Sequence, residues 1–388
     1  MTRLALSRRL LKLPPYPFAE IDRKKKQAIA EGKDIISLGV GDPDLPTPKH
    51  IVAAAQKALE NPKFHHYPFE QGLSDFRAAV AGWYGTRFGV SLDPQNQVRP
   101  SIGSKDGIAH SHFALVNAGD VVLIPSPGYP VYATSTVFTD GKPYLLPLKE
   151  KNKFLPDLEA VPKSILSKAR IFFLNSPNNP TAAVADEAYF ERVIYLAKKH
   201  GFIVAHDAAY SEIYFERAPV SFLSLPGAMD VGVEFHTCSK TYNMTGWRVG
   251  WFCGNADIVQ AIGKVKDNFD SGVFEAVQMA AVAALTGPQD CVQEMRGVYR
   301  ERRDVLCAGL RGLGWQFKVP EASFYVWSKT PGGLTSAQTV EKLIAEASIV
   351  AVPGSAFGKH GEGFVRFALT VPKERIQAAV ERLSKILW

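Results

Sequence analysis

From about residue 98 onward, short apolar or β-branched runs alternate with longer stretches of helical character, and this alternation constrains the fold more than any other feature of the sequence. It is typical of parallel strands joined by helical crossovers. Several runs are continuously apolar, as expected for strands that helices cover on both faces. We therefore predict an α/β fold with strands at residues 98–102, 121–124, 171–174, 202–205, 233–237 and 249–252.

After about residue 285 the pattern changes to that of a smaller α+β unit. The predicted elements are a charged helix over 289–313, a strand over 324–327, a helix over 336–347, strands over 349–352 and 364–369, and a final helix. The first 48 residues are rich in Pro and Gly, and we expect them to wrap against this unit. The predicted large domain is therefore residues 49–285, and the small domain with its N-terminal arm is residues 1–48 and 286–388.

The composition is that of an ordinary globular protein. Of 388 residues, 46% are hydrophobic and 21% are charged, and no apolar run approaches the ~20 residues needed to cross a bilayer. Lys and Arg outnumber Asp and Glu by 45 to 38, but the densest basic run, at residues 23–26, lacks the interleaved aromatic residues of a base-stacking surface. Neither a membrane nor a nucleic acid is an expected partner.

The four cysteines are widely spaced and form no C-x-x-C pair. They predict neither a disulfide framework nor a zinc site, and they favour a reducing compartment, the cytoplasm. Residues 1–13 carry several basic side chains but lack the apolar core of a secretory signal; an organellar presequence is the less favoured alternative. The close histidine pairs at 65–66 and 110–112 have no second pair of ligands nearby, so no metal is expected.

Common phosphate and nucleophile motifs are absent from the sequence. The run G-V-G-D-P-D at residues 39–44 lacks the third glycine of a dinucleotide fingerprint, and no Gly-Lys pair is followed by Ser or Thr as in a P-loop. No G-x-S-x-G elbow occurs, so the serine of an α/β-hydrolase is not expected.

Three polar clusters follow predicted strands. They are N-S-P-N-N-P-T at residues 175–181, H-D-A-A-Y at 206–210 and T-C-S-K-T-Y-N-M-T-G-W-R-V-G at 237–250. Because ligands of open parallel sheets bind outside the carboxyl ends of the strands, the three clusters can converge on one ligand. Taken singly, each has an ordinary structural explanation, with Asp207 as a helix N-cap, Asn179 as the start of a turn and Arg248 as a surface residue.

Together these motifs resemble those of the pyridoxal-phosphate-dependent aminotransferases of fold type I, class I and II. The likeness extends from L-G-V-G-D-P-D at residues 38–44 to V-R-F-A-L at 365–369. It implies an α/β fold, with a large domain built on a mostly parallel seven-stranded sheet and a smaller α+β domain. It also implies pyridoxal 5′-phosphate as the cofactor, amino acids and 2-oxo acids as substrates, and a homodimer as the active unit.

The resemblance assigns the catalytic groups. Lys240 is the amine that forms a Schiff base with the cofactor and, once the substrate amine has displaced it, acts as a general base. Asp207 is the carboxylate that keeps the pyridine nitrogen protonated, so that the ring serves as an electron sink. Tyr210 and Asn179 match the residues that form hydrogen bonds with the phenolic oxygen of the ring.

Further matching residues bind the cofactor. Arg248 is suited to the phosphate because a guanidinium group forms paired charge-assisted hydrogen bonds, and Thr237 offers a hydroxyl donor to the same group. Ser104 and Lys105 lie in a Gly-bounded loop that leads into an apolar helix, whose N-terminus attracts anions. Ser239 is the remaining candidate for binding the cofactor.

Three more residues are assigned by the same likeness. Tyr129 resembles the aromatic residue that stacks on the pyridine ring; a tyrosine in a turn is the alternative. Tyr67 matches a residue that reaches the phosphate of the neighbouring subunit, which would make the homodimer the functional unit. Arg366 matches the arginine that binds the α-carboxylate of both donor and acceptor, although its strand pattern alone would make it an exposed charge.

Within the family, the chain is most similar to the LL-diaminopimelate aminotransferases, which form LL-2,6-diaminopimelate from tetrahydrodipicolinate with glutamate as the donor. The segments that carry this likeness are residues 13–21, 103–107 and 268–274. The candidate substrate-binding residues are then Tyr16, Gly41, Lys105, Tyr129, Asn179 and Arg366.

Alternatives remain open at this level. Ala182 stands where many relatives have Gly, and Glu275 stands where Gln is expected, which weakens the choice of substrate. The same scaffold serves aminotransferases specific for alanine, aspartate or aromatic amino acids. A pyridoxal-phosphate-dependent lyase is less favoured, since the cofactor can also promote the breaking of other bonds. A regulator that senses the cofactor is least favoured.

Overall fold

Seven strands form the largest sheet of the computed structural model, which describes residues 5–13, 17–68 and 71–388. The strands in chain order are β1 (Ile36–Ser37), β2 (Val98–Ser101), β3 (Val121–Ser126), β4 (Lys142–Pro147), β5 (Ala169–Asn175), β6 (Ile203–Asp207), β7 (Gly232–Thr237), β8 (Gly250–Gly254), β9 (Tyr325–Lys329), β10 (Ile349–Val350), β11 (Val352–Pro353) and β12 (Phe364–Ala368). The helices are α1 (Arg8–Leu11), α2 (Pro17–Ala30), α3 (Lys49–Leu59), α4 (Ser74–Phe88), α5 (Ser104–Leu115), α6 (Val131–Phe138), α7 (Lys163–Leu166), α8 (Glu187–His200), α9 (Cys238–Thr241), α10 (Ala256–Phe269), α11 (Glu275–Thr286), α12 (Asp290–Gly312), α13 (Ser336–Ala347) and α14 (Lys373–Leu383).

The large sheet has the strand order β2-β8-β7-β6-β5-β3-β4. The pairs β3–β4, β3–β5, β5–β6 and β6–β7 are parallel, whereas β8 runs antiparallel to both of its neighbours, β2 and β7. The predicted α/β fold with a mostly parallel seven-stranded sheet is therefore confirmed. The six predicted strands of this sheet match the observed ones to within two residues at each end.

The seventh strand, β4, is absent from the strands derived from hydrophobic patterning. It lies at the edge of the sheet, pairs only with β3 and begins with two exposed residues, Lys142 and Pro143. Only Leu146 of this strand is fully buried. An edge strand needs no continuous apolar run, and its prolines argue against a strand in a pattern-based prediction.

Two smaller sheets lie outside the large one. β1 pairs in parallel with β10, and β11, β12 and β9 form an antiparallel sheet in that order. The prediction of one strand over 349–352 was wrong in this respect, because β10 and β11 pair with different strands on either side of Ala351. The helix predicted over 336–347 is α13, with the same bounds.

Helices cover both faces of the large sheet, as the continuously apolar strands require. On one face α5, α6 and α10 place Ile108, Tyr132 and Ile262 against Phe173 and Phe235 of the sheet. On the other face α4 and α8 contribute to a second, larger cluster of buried residues. Burial of each large apolar side chain stabilises the fold by about 1.5–3 kcal/mol. In the described ranges, no helix combines the length and the apolarity needed to cross a bilayer.

Candidate active site

A cavity of about 420 Å³ lies where β5, β6 and β7 end. Asn175, Asp207 and Thr237, the last residues of these strands, all line it. Of the fourteen residues predicted for the site, twelve line this cavity: Gly41, Ser104, Lys105, Tyr129, Asn179, Asp207, Tyr210, Thr237, Ser239, Lys240, Arg248 and Arg366. Tyr16 lies outside the described residues, and Tyr67 is not among the residues that line the cavity of its own chain.

Lys240 lies in α9, the short helix that follows β7 directly. The Thr237 hydroxyl caps this helix by accepting a hydrogen bond from the backbone N–H of Ser239. The Lys240 ammonium group donates a 2.8 Å hydrogen bond to the carbonyl oxygen of Gly41. Burial lowers the pKa of Lys240 to about 8, and Arg366 and Arg248 act in the same direction. Near neutral pH, a substantial fraction of this amine can therefore be uncharged and nucleophilic.

Asp207 ends β6 with its carboxylate buried beside an aromatic residue of α6. The Tyr132 hydroxyl donates a 2.7 Å hydrogen bond to Oδ2, and the backbone N–H of Ala209 donates to Oδ1 at 3.3 Å. Burial raises the pKa of Asp207, whereas the hydrogen bond from Tyr132 opposes that shift. Tyr132 is stacked on Phe173, with ring centroids 4.9 Å apart.

Arg366 lies in β12 and is 3% exposed, so the alternative of an exposed strand charge is wrong. Its Nη1 donates to Oδ1 of Asn179 at 2.7 Å, and its Nη2 donates to the carbonyl oxygen of Gly39 at 2.6 Å. The guanidinium group also lies over the rings of Tyr325 and Phe357, at 4.1 and 4.7 Å from their centroids. These partners are all neutral, and a buried cation on the cavity wall is suited to an anionic ligand.

Tyr210 and Gly41 are both constrained by Tyr325, a residue of β9. The hydroxyl oxygens of Tyr210 and Tyr325 are 3.1 Å apart in a buried hydrogen bond. A side chain on Gly41 would overlap the Tyr325 hydroxyl group, so this position requires Gly. The close approach brings the Gly41 carbonyl group to the wall of the cavity, where Lys240 contacts it.

The start of α5 and the side chain of Arg248 lie together at another part of the cavity wall. Gly103 precedes the helix with φ +79°, and no side chain caps the helix N-terminus. Nη2 of Arg248 donates to the carbonyl oxygen of Ile102 at 3.0 Å, and a Cβ on Gly103 would lie 2.5 Å from Nη2. Free backbone N–H groups and a guanidinium group form a suitable site for a phosphate.

Lys105 and Tyr129 lie between this cavity and a larger apolar one of about 920 Å³. The Lys105 ammonium group is 5.9 Å from the centroid of the Tyr129 ring. Tyr129 also meets Tyr132 edge to face, with centroids 6.0 Å apart. Lys105 and Tyr129 therefore line both the polar cavity and the apolar cavity beside it.

These residues fit the cofactor that the sequence resemblance implies. The cavity offers an amine of lowered pKa at Lys240, a buried carboxylate at Asp207, and a helix N-terminus with a guanidinium group and hydroxyls for the phosphate. The absence of a side chain on Gly103 leaves room for Arg248 next to that helix N-terminus. The donor set matches the three chemical needs of pyridoxal phosphate.

Sequence motifs had not singled out three residues of the site. Tyr132 and Tyr325 act through contacts made in the folded chain, with Asp207 and Tyr210 respectively. Asn175 lines the cavity opposite Asp207 in the β5–β6 register, and its amide nitrogen donates to the Asp207 carbonyl oxygen at 2.8 Å. For Asn175 the sequence did carry a signal, because this residue directly follows a predicted strand and begins a motif already recognised.

The chain is similar to known proteins along nearly its whole length. The family model described as aminotransferase class I and II matches residues 33–383. The chain is 54% identical over 379 residues to an LL-diaminopimelate aminotransferase of Syntrophobacter fumaroxidans, covering 97% of this chain and 98% of the relative. It is 52% identical over 381 residues to an LL-diaminopimelate aminotransferase of Aquifex aeolicus, covering 98% of each.

Solved structures are similar along nearly the whole chain. Substrate-bound BacF from Bacillus subtilis is 37% identical with a TM-score of 0.94, covering 99% of this chain and 98% of that one. A probable N-succinyldiaminopimelate aminotransferase from Thermus thermophilus is 35% identical with a TM-score of 0.92, covering 95% of this chain and all of that one.

Proposed function

The chain belongs to the class I and II aminotransferases, a family of pyridoxal-phosphate-dependent enzymes, and from this we propose that it transfers an amino group between LL-2,6-diaminopimelate and 2-oxoglutarate. In the other direction it would form LL-diaminopimelate from tetrahydrodipicolinate, with glutamate as the donor. The support for this substrate is the likeness to LL-diaminopimelate aminotransferases at 50% identity or more along nearly the full chain.

One observation carries the proposal of amino transfer: Lys240, Asp207 and Arg366 line one cavity. When bound, pyridoxal phosphate supplies the aldehyde that binds the substrate amine and a ring that withdraws electrons from the α-carbon. Arg366 would hold the α-carboxylate, and Lys240 would move the proton of the α-carbon. The negative charge of Asp207 would hold a proton on the ring nitrogen.

The same residues would serve both half-reactions. Donor and acceptor each carry a carboxylate next to the reacting carbon, so one guanidinium group at Arg366 can orient either of them. Four cationic side chains line the cavity: Lys105, Lys240, Arg248 and Arg366. With Lys240 assigned to the amine chemistry and Arg248 to the phosphate, Lys105 is suited to the distal carboxylate of diaminopimelate. Arg366 and Lys105 together support a substrate with a carboxylate at each end.

An amino-donor screen tests the substrate. The purified enzyme is incubated with pyridoxal phosphate, 2-oxoglutarate and one donor at a time: LL-diaminopimelate, its meso isomer, alanine, aspartate or phenylalanine. Glutamate formation confined to the LL isomer supports the proposal. Preference for another donor contradicts the substrate but not the reaction, whereas release of ammonia or carbon dioxide instead of transfer contradicts the reaction itself.

A second candidate is transfer from an apolar or aromatic donor. The apolar cavity of about 920 Å³ shares Lys105 and Tyr129 with the polar one, which offers space for an apolar side chain. The same screen separates the two, because phenylalanine would then be a better donor than LL-diaminopimelate.

We further propose that the active unit is a homodimer in which Tyr67 completes the partner's site. Tyr67 is 73% exposed and does not line the cavity of its own chain, so a role at the cofactor needs a second copy. Mixed dimers of Tyr67→Ala and Lys240→Ala chains test this. If Tyr67 acts across the interface, each hybrid dimer has one site with both an intact Lys240 and an intact Tyr67. The mixture should then be more active than either variant alone. A mixture no more active than the separate variants contradicts the proposal.

The division at residues 48/49 and 285/286 and the cytoplasmic location are proposals as well. All seven strands of the large sheet fall within 49–285, and β1 pairs with β10 instead of joining that sheet. Limited proteolysis that cuts first near residue 286 would support the division.

The four cysteines are free, which suits a reducing compartment, and cell fractionation checks the proposed cytoplasmic location.

A further inference from the structure

A buried cluster of polar side chains lies behind the cavity, on the strands β6 and β7. His206 directly precedes Asp207, and because alternate residues of a strand point to opposite faces, its ring lies on the face away from the Asp207 carboxylate. The ring is 1% exposed and meets the rings of Phe190 and Phe222 edge to face. The reaction described above makes no use of this histidine.

Both ring nitrogens of His206 face oxygen atoms. Nε2 lies 3.0 Å from the carbonyl oxygen of Ser176, and Nδ1 lies 2.7 Å from Oε1 of Glu234. A backbone carbonyl oxygen can only accept, so Nε2 carries a hydrogen. The bond at Nδ1 also needs a hydrogen, which belongs either to the histidine or to the glutamic acid.

The surroundings of Glu234 decide between these two states. Its Oε1 also accepts a hydrogen bond from the backbone N–H of Phe222 at 2.7 Å. Its Oε2 accepts from the hydroxyls of Ser221 at 2.7 Å and Tyr84 at 2.8 Å. A carboxyl group with this many donors is held in its ionised form. Burial alone raises the pKa of Glu234, but the hydrogen bond with His206 and the nearby ring of His236, whose Nε2 lies 3.6 Å from Oε2, outweigh burial and lower that pKa.

We propose that His206 donates through both ring nitrogens, as an imidazolium paired with the Glu234 carboxylate, and that it acts as a positioning residue for the active site. One N–H holds Ser176, in the loop that leads to Asn179, and the other holds β7. The positive charge is one residue from Asp207 and favours the ionised form of that carboxylate, as does His236 on β7. The protonation state is independent of the proposed function, whereas the positioning role rests on it.

Nitrogen NMR of the protein labelled with ¹⁵N-histidine tests the protonation state in the absence of cofactor. His206→Gln identifies the resonances by their loss. We expect two protonated nitrogens in His206 at neutral pH, one for each of its two acceptors. A single unprotonated nitrogen at neutral pH would overturn the proposal.

Glu234→Gln is the matched variant for the ion pair, because it keeps the shape and removes the charge. The amide can donate to Nδ1, so His206 should become neutral, with a hydrogen on Nε2 alone. A ring that stays doubly protonated in this variant shows that Glu234 is not the partner. If Glu234→Gln fails to fold, Tyr84→Phe, which keeps the carboxylate and removes one donor, should leave His206 doubly protonated; a neutral ring there would contradict the pairing.

The positioning role is tested in the enzyme loaded with pyridoxal phosphate. Gln at 206 retains a donor for the Ser176 carbonyl group but carries no charge, so kcat should fall by about tenfold with little change in KM, and the acid limb of the pH profile should move to higher pH. His200→Gln, at the end of α8, is the control and should leave both unchanged. Wild-type kcat, or an unmoved pH profile, in His206→Gln would refute the role.

Discussion

The Tyr132 hydroxyl group donates a 2.7 Å hydrogen bond to Oδ2 of Asp207, and both side chains are buried. Burial of a carboxylate without compensation favours its neutral form, whereas a hydrogen bond to the charged form opposes this. The Tyr132 hydroxyl group keeps its hydrogen, because burial and the nearby carboxylate raise the pKa of Tyr132 well above its ordinary value. The pair therefore keeps the hydrogen on the tyrosine and the negative charge on the aspartate.

Tyr132→Phe should leave the fold intact and weaken the enzyme. Loss of the donor raises the pKa of Asp207, so the acid limb of kcat should move to higher pH, and kcat should fall by about tenfold, as for a hydrogen bond to a charged group worth about 1.5–3 kcal/mol. The pH dependence of single-turnover rates measures this. An acid limb that stays in place would show that Tyr132 does not control Asp207.

Lys240→Ala should remove the amine and the general base together, with a loss of at least about 10²–10⁴-fold in kcat. Lys240→Arg retains the positive charge and should be equally inactive, which separates the chemistry of the amine from electrostatics. Lys264→Ala, on the exposed side of α10, is the matched control. Appreciable turnover in Lys240→Ala would contradict the assigned role.

The apoprotein should take up pyridoxal phosphate faster as the pH rises, with a midpoint at about pH 8 and a constant rate well above it. The reason is that only the neutral amine of Lys240 is nucleophilic, and burial lowers its pKa to about 8. Asp42 opposes that shift, so Asp42→Asn should move the midpoint to lower pH. Stopped-flow absorbance follows the uptake, and a midpoint that moves upward in this variant would contradict the electrostatic explanation.

Arg366→Met should raise KM for both the amino donor and 2-oxoglutarate by about ten- to a hundredfold, because charge-assisted hydrogen bonds contribute about 1.5–3 kcal/mol. Arg170→Met, at the exposed second residue of β5, is the control for loss of a positive charge. Steady-state kinetics of both half-reactions check this. An effect confined to one substrate would mean that the carboxylate of the other does not bind Arg366.

Gly103→Ala should weaken cofactor binding by about tenfold or more and also destabilise the fold. Gly103 has φ +79° and ψ 163°, a combination that essentially only Gly adopts, so a side chain there costs about 1–3 kcal/mol, and the new Cβ would also lie 2.5 Å from Nη2 of Arg248. Gly89→Ala has a similar φ of +68° with nothing nearby, so it should lose stability alone. Thermal unfolding and titration with pyridoxal phosphate distinguish the two, and equal cofactor affinities would contradict the role of the loop.

The sequence was most informative where a strand is buried on both faces. β5 and β6 contain continuous apolar runs, at residues 171–174 and 203–205, that are followed by polar residues. β7 has Glu234 among its apolar residues and also ends in polar ones, so the strands and the edge that carries the site could be predicted. β4 could not, because an edge strand lacks that pattern. The division between β10 and β11 at Ala351 also could not be predicted. Hydrophobicity does not reveal that β10 pairs with β1 whereas β11 pairs with β12.

The site was predictable to the extent that its residues sit in contiguous motifs. Asp207 and Lys240 belong to such motifs, whereas Tyr132 and Tyr325 act through partners 75 and 115 positions away in the chain. The charge on His206 depends on acceptors from β7 and from the loop after β5, so it too required the tertiary structure.

Arg366 joins segments that are far apart in sequence, since its two hydrogen-bond acceptors, on Gly39 and Asn179, lie 327 and 187 positions away. A slight shift of either backbone would misalign the guanidinium group without touching the groups that move protons. Substrate affinity therefore depends on the correct relative placement of the N-terminal segment, the loop after β5 and the last strand. A sequence change that displaces any one of them should raise KM before it lowers kcat.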